Sequence, residues 1–152
     1  MNLPHALTTE PVAPPSHFEA IGGQAVVDRL VNAFYAQMDS RSDSRGIRAM
    51  HEPDLGHTKA VLRLYLAEWL GGPKDYTAQR GHPRLRMRHA TFPIGVPERD
   101  AWLACMDAAM QQTGVPADLH RVLMAAFFKT ADWMRNTPNP PATPATNPKE
   151  AS

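Results

Sequence analysis

Hydrophobic positions in this chain cluster at three- and four-residue steps, the spacing of one helix face, and no stretch alternates convincingly enough to predict a strand. From Gln24 to Met38 the residues Val26, Val27, Leu30, Val31, Phe34, Tyr35 and Met38 make such a stripe, set off by Gly22 and Gly23. A second stripe of Leu55, Leu62, Tyr65, Leu66 and Trp69 predicts a helix from Asp54 to Leu70, opening after Glu52-Pro53 and stopped by Gly71-Gly72-Pro73. Between them, Asp39 to Pro53 offers only Ile47, Ala49 and Met50 for burial and reads as a loop with one helical turn.

Tyr76 falls in a further loop, after which a short helix is predicted from Pro83 to about Thr91, because Pro93 disfavours helical geometry at Phe92. Leu85 and His89 lie four apart on it and share a face. The next helix starts after Val96-Pro97, with Glu98 and Asp100 at the positive end of its dipole. It carries Trp102, Leu103, Cys105, Met106, Ala109 and Met110, and ends at Gly114. The last runs from Pro116 to about Asn136 with Leu119, Val122, Leu123, Ala126, Phe127, Thr130 and Met134 inward. The expected fold is all-α, with five helices. The short one is physically odd: it offers chiefly Leu85 and Met87 for burial, between Arg84, Arg86 and Arg88. Helices of two or three turns are stabilised mainly by packing, so something beyond its own apolar contacts must hold it.

Composition changes this picture mostly at the ends. Of 15 prolines, four precede residue 18 and five follow residue 136. The reading is an extended or disordered arm over 1–17, a folded domain over 18–136 and a Pro-rich disordered tail over 137–152. Charged residues make up 20% of the chain and balance to +1, which gives no bias toward nucleic acid. Cys105 is alone, so no intramolecular disulfide and no Cys-x-x-Cys metal or cluster site is available. The first residues do not read as a signal peptide, and no run reaches the roughly 18 to 20 apolar residues of a membrane span. A cytoplasmic protein without a membrane partner is expected. No Ser-His-Asp order, paired carboxylates or phosphate-cradling glycine loop argues for hydrolase or kinase chemistry.

Taken singly, His89, Tyr35 and Trp102 are ordinary core or surface residues; their surroundings change that. Phe18-Glu19-Ala20-Ile21-Gly22-Gly23, Phe34-Tyr35, Tyr65-Leu66 through Gly71-Gly72-Pro73, Gly81-His82-Pro83, Arg88-His89-Ala90-Thr91-Phe92-Pro93-Ile94 and Ala101-Trp102-Leu103 together resemble the truncated, two-over-two haemoglobins of group II. The resemblance covers about residues 18–136. It implies haem b, iron protoporphyrin IX, held between two antiparallel helix pairs beside a short proximal helix.

By that resemblance His89 is the proximal iron ligand, with neutral imidazole as donor. Leu85 and Phe92 pack near the porphyrin. Tyr35, Trp102 and His51 surround a distal ligand, in a pocket that includes Phe34, Thr58, Leu62 and Tyr65. Tyr76, Arg86 and Arg88 are the residues for the haem propionates. Two departures stand out: the loop after Tyr35 is longer than usual, with His51 where the family keeps an aromatic, and Val61 stands where a base is expected, leaving Lys59 or Arg63 to substitute. The implied function is binding of O2 and other diatomics such as NO and CO. Detoxification of NO or of peroxide and other reactive oxygen is favoured, as NO dioxygenase or peroxidase-like activity with a reductase. The alternative is a haem-based sensor or electron-transfer protein with Tyr35 or His51 as an internal sixth ligand. His57, His82, His120, His5 and His17 read as surface, helix-end or arm residues.

Overall fold

A computed structural model describes residues 14–138 of the chain. Eight α-helices and one 3-10 turn occur among the described residues, with no strand. They are α1 (His17–Ile21), α2 (Gln24–Ser40), α3 (Arg45–Ala49), α4 (Gly56–Trp69), α5 (Asp75–Arg80), α6 (Leu85–His89), α7 (Val96–Gln112) and α8 (Ala117–Trp133); the 3-10 turn is Ser42–Ser44. Four long helices carry the fold: α2 packs with α4, α7 packs with α8, and the two pairs meet chiefly where α2 lies on α7. This is the two-over-two arrangement. The α2 stripe explains it, since Val27, Leu30, Val31 and Phe34 are fully buried against a core to which α7 gives Cys105, Met106, Ala109 and Met110.

The additional helices are short and carry almost no apolar stripe. Ser16 begins α1 by accepting the Glu19 N–H at 3.1 Å, and Gly22, at φ +120°, ends it. The expected arm lies largely outside the described residues, but His17 is the first residue of α1. Of the expected tail, all but Thr137 and Pro138 lies outside them, as does His5. The segment expected to be a loop with one turn holds both the 3-10 turn and α3, fastened by the buried Ser44 hydroxyl, which donates to the Met38 carbonyl at 2.6 Å. Tyr76, expected in a loop, sits in α5, whose first turn is fixed by Glu68: its carboxylate accepts the Thr77 N–H at 3.1 Å and the Thr77 hydroxyl at 2.5 Å. Val122, expected inward on α8, is 47% exposed, because the core face of that helix turns on Leu123 and Phe127 instead.

Gly71-Gly72-Pro73 does more than stop α4. Gly71 takes φ +94°, and Gly72 passes directly under α1: a Cβ on Gly72 would stand 2.6 Å from the Phe18 ring and 2.8 Å from the Ala67 carbonyl oxygen. Phe18 is tied there too, its N–H donating to the Leu70 carbonyl at 2.8 Å. Gly72→Ala must therefore displace ring or backbone, and a destabilisation of about 1–3 kcal/mol is expected in denaturant titration of the folded protein. An unchanged midpoint would show that α1 is free to lift off α4.

Candidate functional site

The short helix α6 carries the site's most specific geometry. His89 is half-buried, and its Nδ1 lies 2.7 Å from the Leu85 carbonyl oxygen one turn back. A carbonyl can only accept, so Nδ1 is the donor, and in the neutral ring the lone pair then lies on Nε2. That tautomer, fixed by a backbone acceptor, is the one a metal-ligating imidazole needs. Leu85, on the same face of α6, lines a cavity of about 300 Å³ together with Tyr65 of α4 and Lys129, Thr130 and Trp133 of α8. Thr58, Leu62 and Tyr65 follow one another at helical spacing along α4, all half-buried, while only Leu66 and Ala67 of that helix are buried. An apolar strip of α4 is thus left incompletely covered by protein.

The distal candidates are joined by stacked and edge-on rings. His51 meets Tyr35 at 5.8 Å between ring centroids, Tyr35 meets Phe34 at 5.0 Å, and Phe34 meets Trp102 at 5.2 Å. Trp102 continues to Phe127 at 5.5 Å and Phe127 to Trp69 at 4.5 Å, near-parallel. Tyr35 is 4% exposed and its hydroxyl has no hydrogen-bond partner among the described residues. Burial alone pushes this phenol far above its ordinary range, so it stays an O–H donor. The ring is buried while its hydroxyl is not among the enclosed unpartnered atoms, so the O–H is open to a small polar ligand. His51 repeats the His89 arrangement, its Nδ1 donating to the Ile47 carbonyl at 2.7 Å, which in the neutral ring puts the lone pair on Nε2. It also lines a second cavity, of about 410 Å³, with Arg45, Arg48 and Pro53.

The residues expected at the propionates already have protein partners. The Arg86 guanidinium lies 5.4 Å from the Trp133 ring centre, and Arg88 Nε donates to the Pro83 carbonyl at 2.9 Å. Tyr76 is buried edge-on to Tyr65 at 5.7 Å, with Arg80 over its ring at 5.9 Å. Arg63 donates to Asn32 at 2.9 Å, tying α4 to α2. Phe92 is partly exposed and its N–H donates to the His89 carbonyl at 3.0 Å. Sequence reasoning missed Trp133 as a wall of the cavity and Asn136 as a neighbour of α6, because both reach it from the far end of the chain. Cys105 is buried, which raises its thiol pKa and keeps it protonated. Among the described residues no group of three or more His, Cys, Asp or Glu could hold a metal ion, so a lone imidazole fits an iron whose equatorial ligands come from a porphyrin. The lone-pair imidazole, the half-covered apolar strip and the unpartnered phenol together fit haem.

Comparison with known proteins agrees. The family model described as bacterial-like globin matches residues 16–136. The chain is 36% identical over 119 residues to the group 2 truncated hemoglobin YjbI of Bacillus subtilis, covering 78% of this chain and 87% of that one. Among solved structures, the group II 2-on-2 hemoglobin of Agrobacterium tumefaciens is 39% identical with a TM-score of 0.79, over 84% of this chain and 98% of that one. The hemoglobin of Chloroflexus aurantiacus is 44% identical with a TM-score of 0.75, over 82% and 100%.

Tyr65 allows a pH test of the half-closed strip. Desolvation, with a smaller contribution from Tyr76, pushes its hydroxyl from 10.0 up to about 12. The unfolded chain therefore ionises this group first. Stability should hold below pH 10 and fall as pH rises from about 10 through about 12. Denaturant midpoints taken across that range should fall less steeply in Tyr65→Phe; parallel curves would show that Tyr65 is solvated in the folded protein.

Proposed function

The chain belongs to the bacterial-like globin family, whose members bind diatomic gases such as O2 on haem b, and on that premise we propose that it retains O2 and uses it to remove NO or reactive oxygen. Haem supplies an iron at which a diatomic binds reversibly and where O2 becomes an oxidant; the residues determine how firmly the ligand is held. His89 would hold the haem iron through Nε2, its ring fixed by the 2.7 Å bond from Nδ1 to the Leu85 carbonyl. Leu85, in the cavity beside Tyr65 and Trp133, would pack against the porphyrin. Leu62 and Thr58 face the ligand side from α4. Tyr76, Arg86 and Arg88 serve the propionates, and Arg86 would exchange or share its Trp133 contact to do so.

The observation that carries the reading is Tyr35: a phenol whose ring is buried, kept protonated by desolvation and without a protein acceptor, has its O–H free to donate to a polar diatomic. Trp102 adds its indole N–H, oriented by Phe34 and Phe127. Each such donor slows ligand escape, by about tenfold for a bond worth about 1.4 kcal/mol. Slow release favours reaction over delivery. Conversion of NO and O2 to nitrate takes up one electron per turnover, so a one-electron reductase is the partner this reading requires.

One observation favours a second reading. His51 lies beside Tyr35 with Nδ1 turned to the Ile47 carbonyl, on a segment that lines a cavity, so it is the stronger of the two internal-ligand candidates for a sensor or electron-transfer protein. The raised Tyr35 pKa works against a tyrosinate ligand.

Absorption spectra of the ferric, ferrous and CO-bound protein decide between these. Haem retained with an unchanged ferrous spectrum in His89→Ala would refute proximal ligation. Tyr35→Phe should raise the O2 dissociation rate about tenfold or more, and Trp102→Phe should act in the same direction. No change in either would place the donors elsewhere. A low-spin ferric spectrum without added ligand that vanishes in His51→Ala would favour the internal-ligand reading.

A further inference from the structure

The segment that carries His89 has little of its own to hold it. None of the residues of α6 is buried, no side chain caps its start, and Arg84 ahead of it sits in the left-handed region at φ +46°. A helix end leaves carbonyls without intrahelical partners, and at the end of α6 the His89 carbonyl, which also accepts the Phe92 N–H, is reached by a side chain from 47 residues away. Asn136 Nδ2 donates to the Phe92 carbonyl at 2.8 Å and to the His89 carbonyl at 3.2 Å, while its Oδ1 accepts the Ile94 N–H at 2.9 Å. The backbone N–H groups of Asn136 and Thr137 donate to the Ile94 carbonyl at 2.9 and 3.2 Å. The strap lies so close to Gly95 that a Cβ there would stand 2.6 Å from the Thr137 hydroxyl.

The strap is itself fixed. Asp132, near the end of α8, pairs with Arg99 of α7 at 2.7 Å and with Arg135 at 3.0 Å, holding the two helix ends together. The remaining contact across to α6 comes from the same place, Arg86 on Trp133. Asn136 is exposed, so it contributes through these bonds and not through packing.

We propose that Asn136 is a positioning residue: it clamps the carbonyl end of α6 and so sets the distance and angle at which His89 meets its iron. This rests on the proximal reading of His89. The clamp resists the proximal helix moving with the metal, and it tunes the strength of the axial bond and the retention of haem.

The test uses the ferrous haem-loaded protein. In Asn136→Ala the iron–histidine stretching band in resonance Raman should shift and broaden, and haem should transfer to an apomyoglobin acceptor about fivefold faster. Asn136→Asp keeps the acceptor toward Ile94 but loses both donors, and should follow the alanine variant. Ser44→Ala, which removes a buried hydrogen bond next to α3, should lower Tm more than either while leaving the band in place. Wild-type band and transfer rate in both Asn136 variants would overturn the proposal, as would a band moved equally by Ser44→Ala. The band should vanish in His89→Gly and be restored by added imidazole. A band that survives in His89→Gly overturns the proximal reading and this proposal with it. Its loss there, alongside wild-type behaviour of the Asn136 variants, overturns this proposal alone.

Discussion

Where α2 crosses α7, Leu30, Phe34 and Met38 from one side and Cys105, Met106 and Met110 from the other are at most 1% exposed, and the polar geometry of the domain hangs from that dry seam. Tyr35 follows Phe34 in sequence and so turns to the flank of the seam; Trp102 reaches the same flank from α7 by packing on Phe34. A close-packed interior fixes side chains more tightly than any surface hydrogen bond does. Two donors on separate helices thus acquire a fixed spacing without touching each other through a polar bond. The hydroxyl of Tyr35 and the indole of Trp102 are positioned by hydrocarbon.

The proximal side is built on the opposite plan. Here the helix is short and exposed, and its order comes from polar bonds and one cation–π contact supplied from the end of α8. Apolar packing thus fixes Tyr35 and Trp102, whereas hydrogen bonds from the end of α8 hold the segment that carries His89. The half-covered strip along α4, where Leu62, Tyr65 and Trp69 are only partly shielded by neighbouring residues, lies between these two regimes. A flat apolar cofactor would bury there what the helices leave open.

The long helices and their order were legible in the sequence because burial imposes period on sequence, and Gly71-Gly72-Pro73 marked a stop that the structure explains by the ring of Phe18. The short helices were not legible. α3 and α5 are held by the single buried hydroxyl of Ser44 and by the carboxylate of Glu68, neither of which leaves a periodic trace. α1 did leave a signal, Ser16 three residues before Glu19, which is half of a capping box. Of the site, the pairing of Leu85 with His89 on one face was readable from their spacing, but the tautomer was not, since it depends on which carbonyl the ring meets. Asn136 lay beyond such reasoning altogether: its partners are 42 to 47 positions earlier.

That separation has a consequence for how the protein is made. Contacts so distant in sequence form late, because the intervening chain must first be ordered. During synthesis α6 leaves the ribosome well before Asn136 does, and α7 and α8 must both be threaded before the carbonyls of His89 and Phe92 find their donor. The nascent domain therefore keeps the segment that carries His89 unlatched until its last helix is out, so this segment is among the last parts of the fold to be fastened.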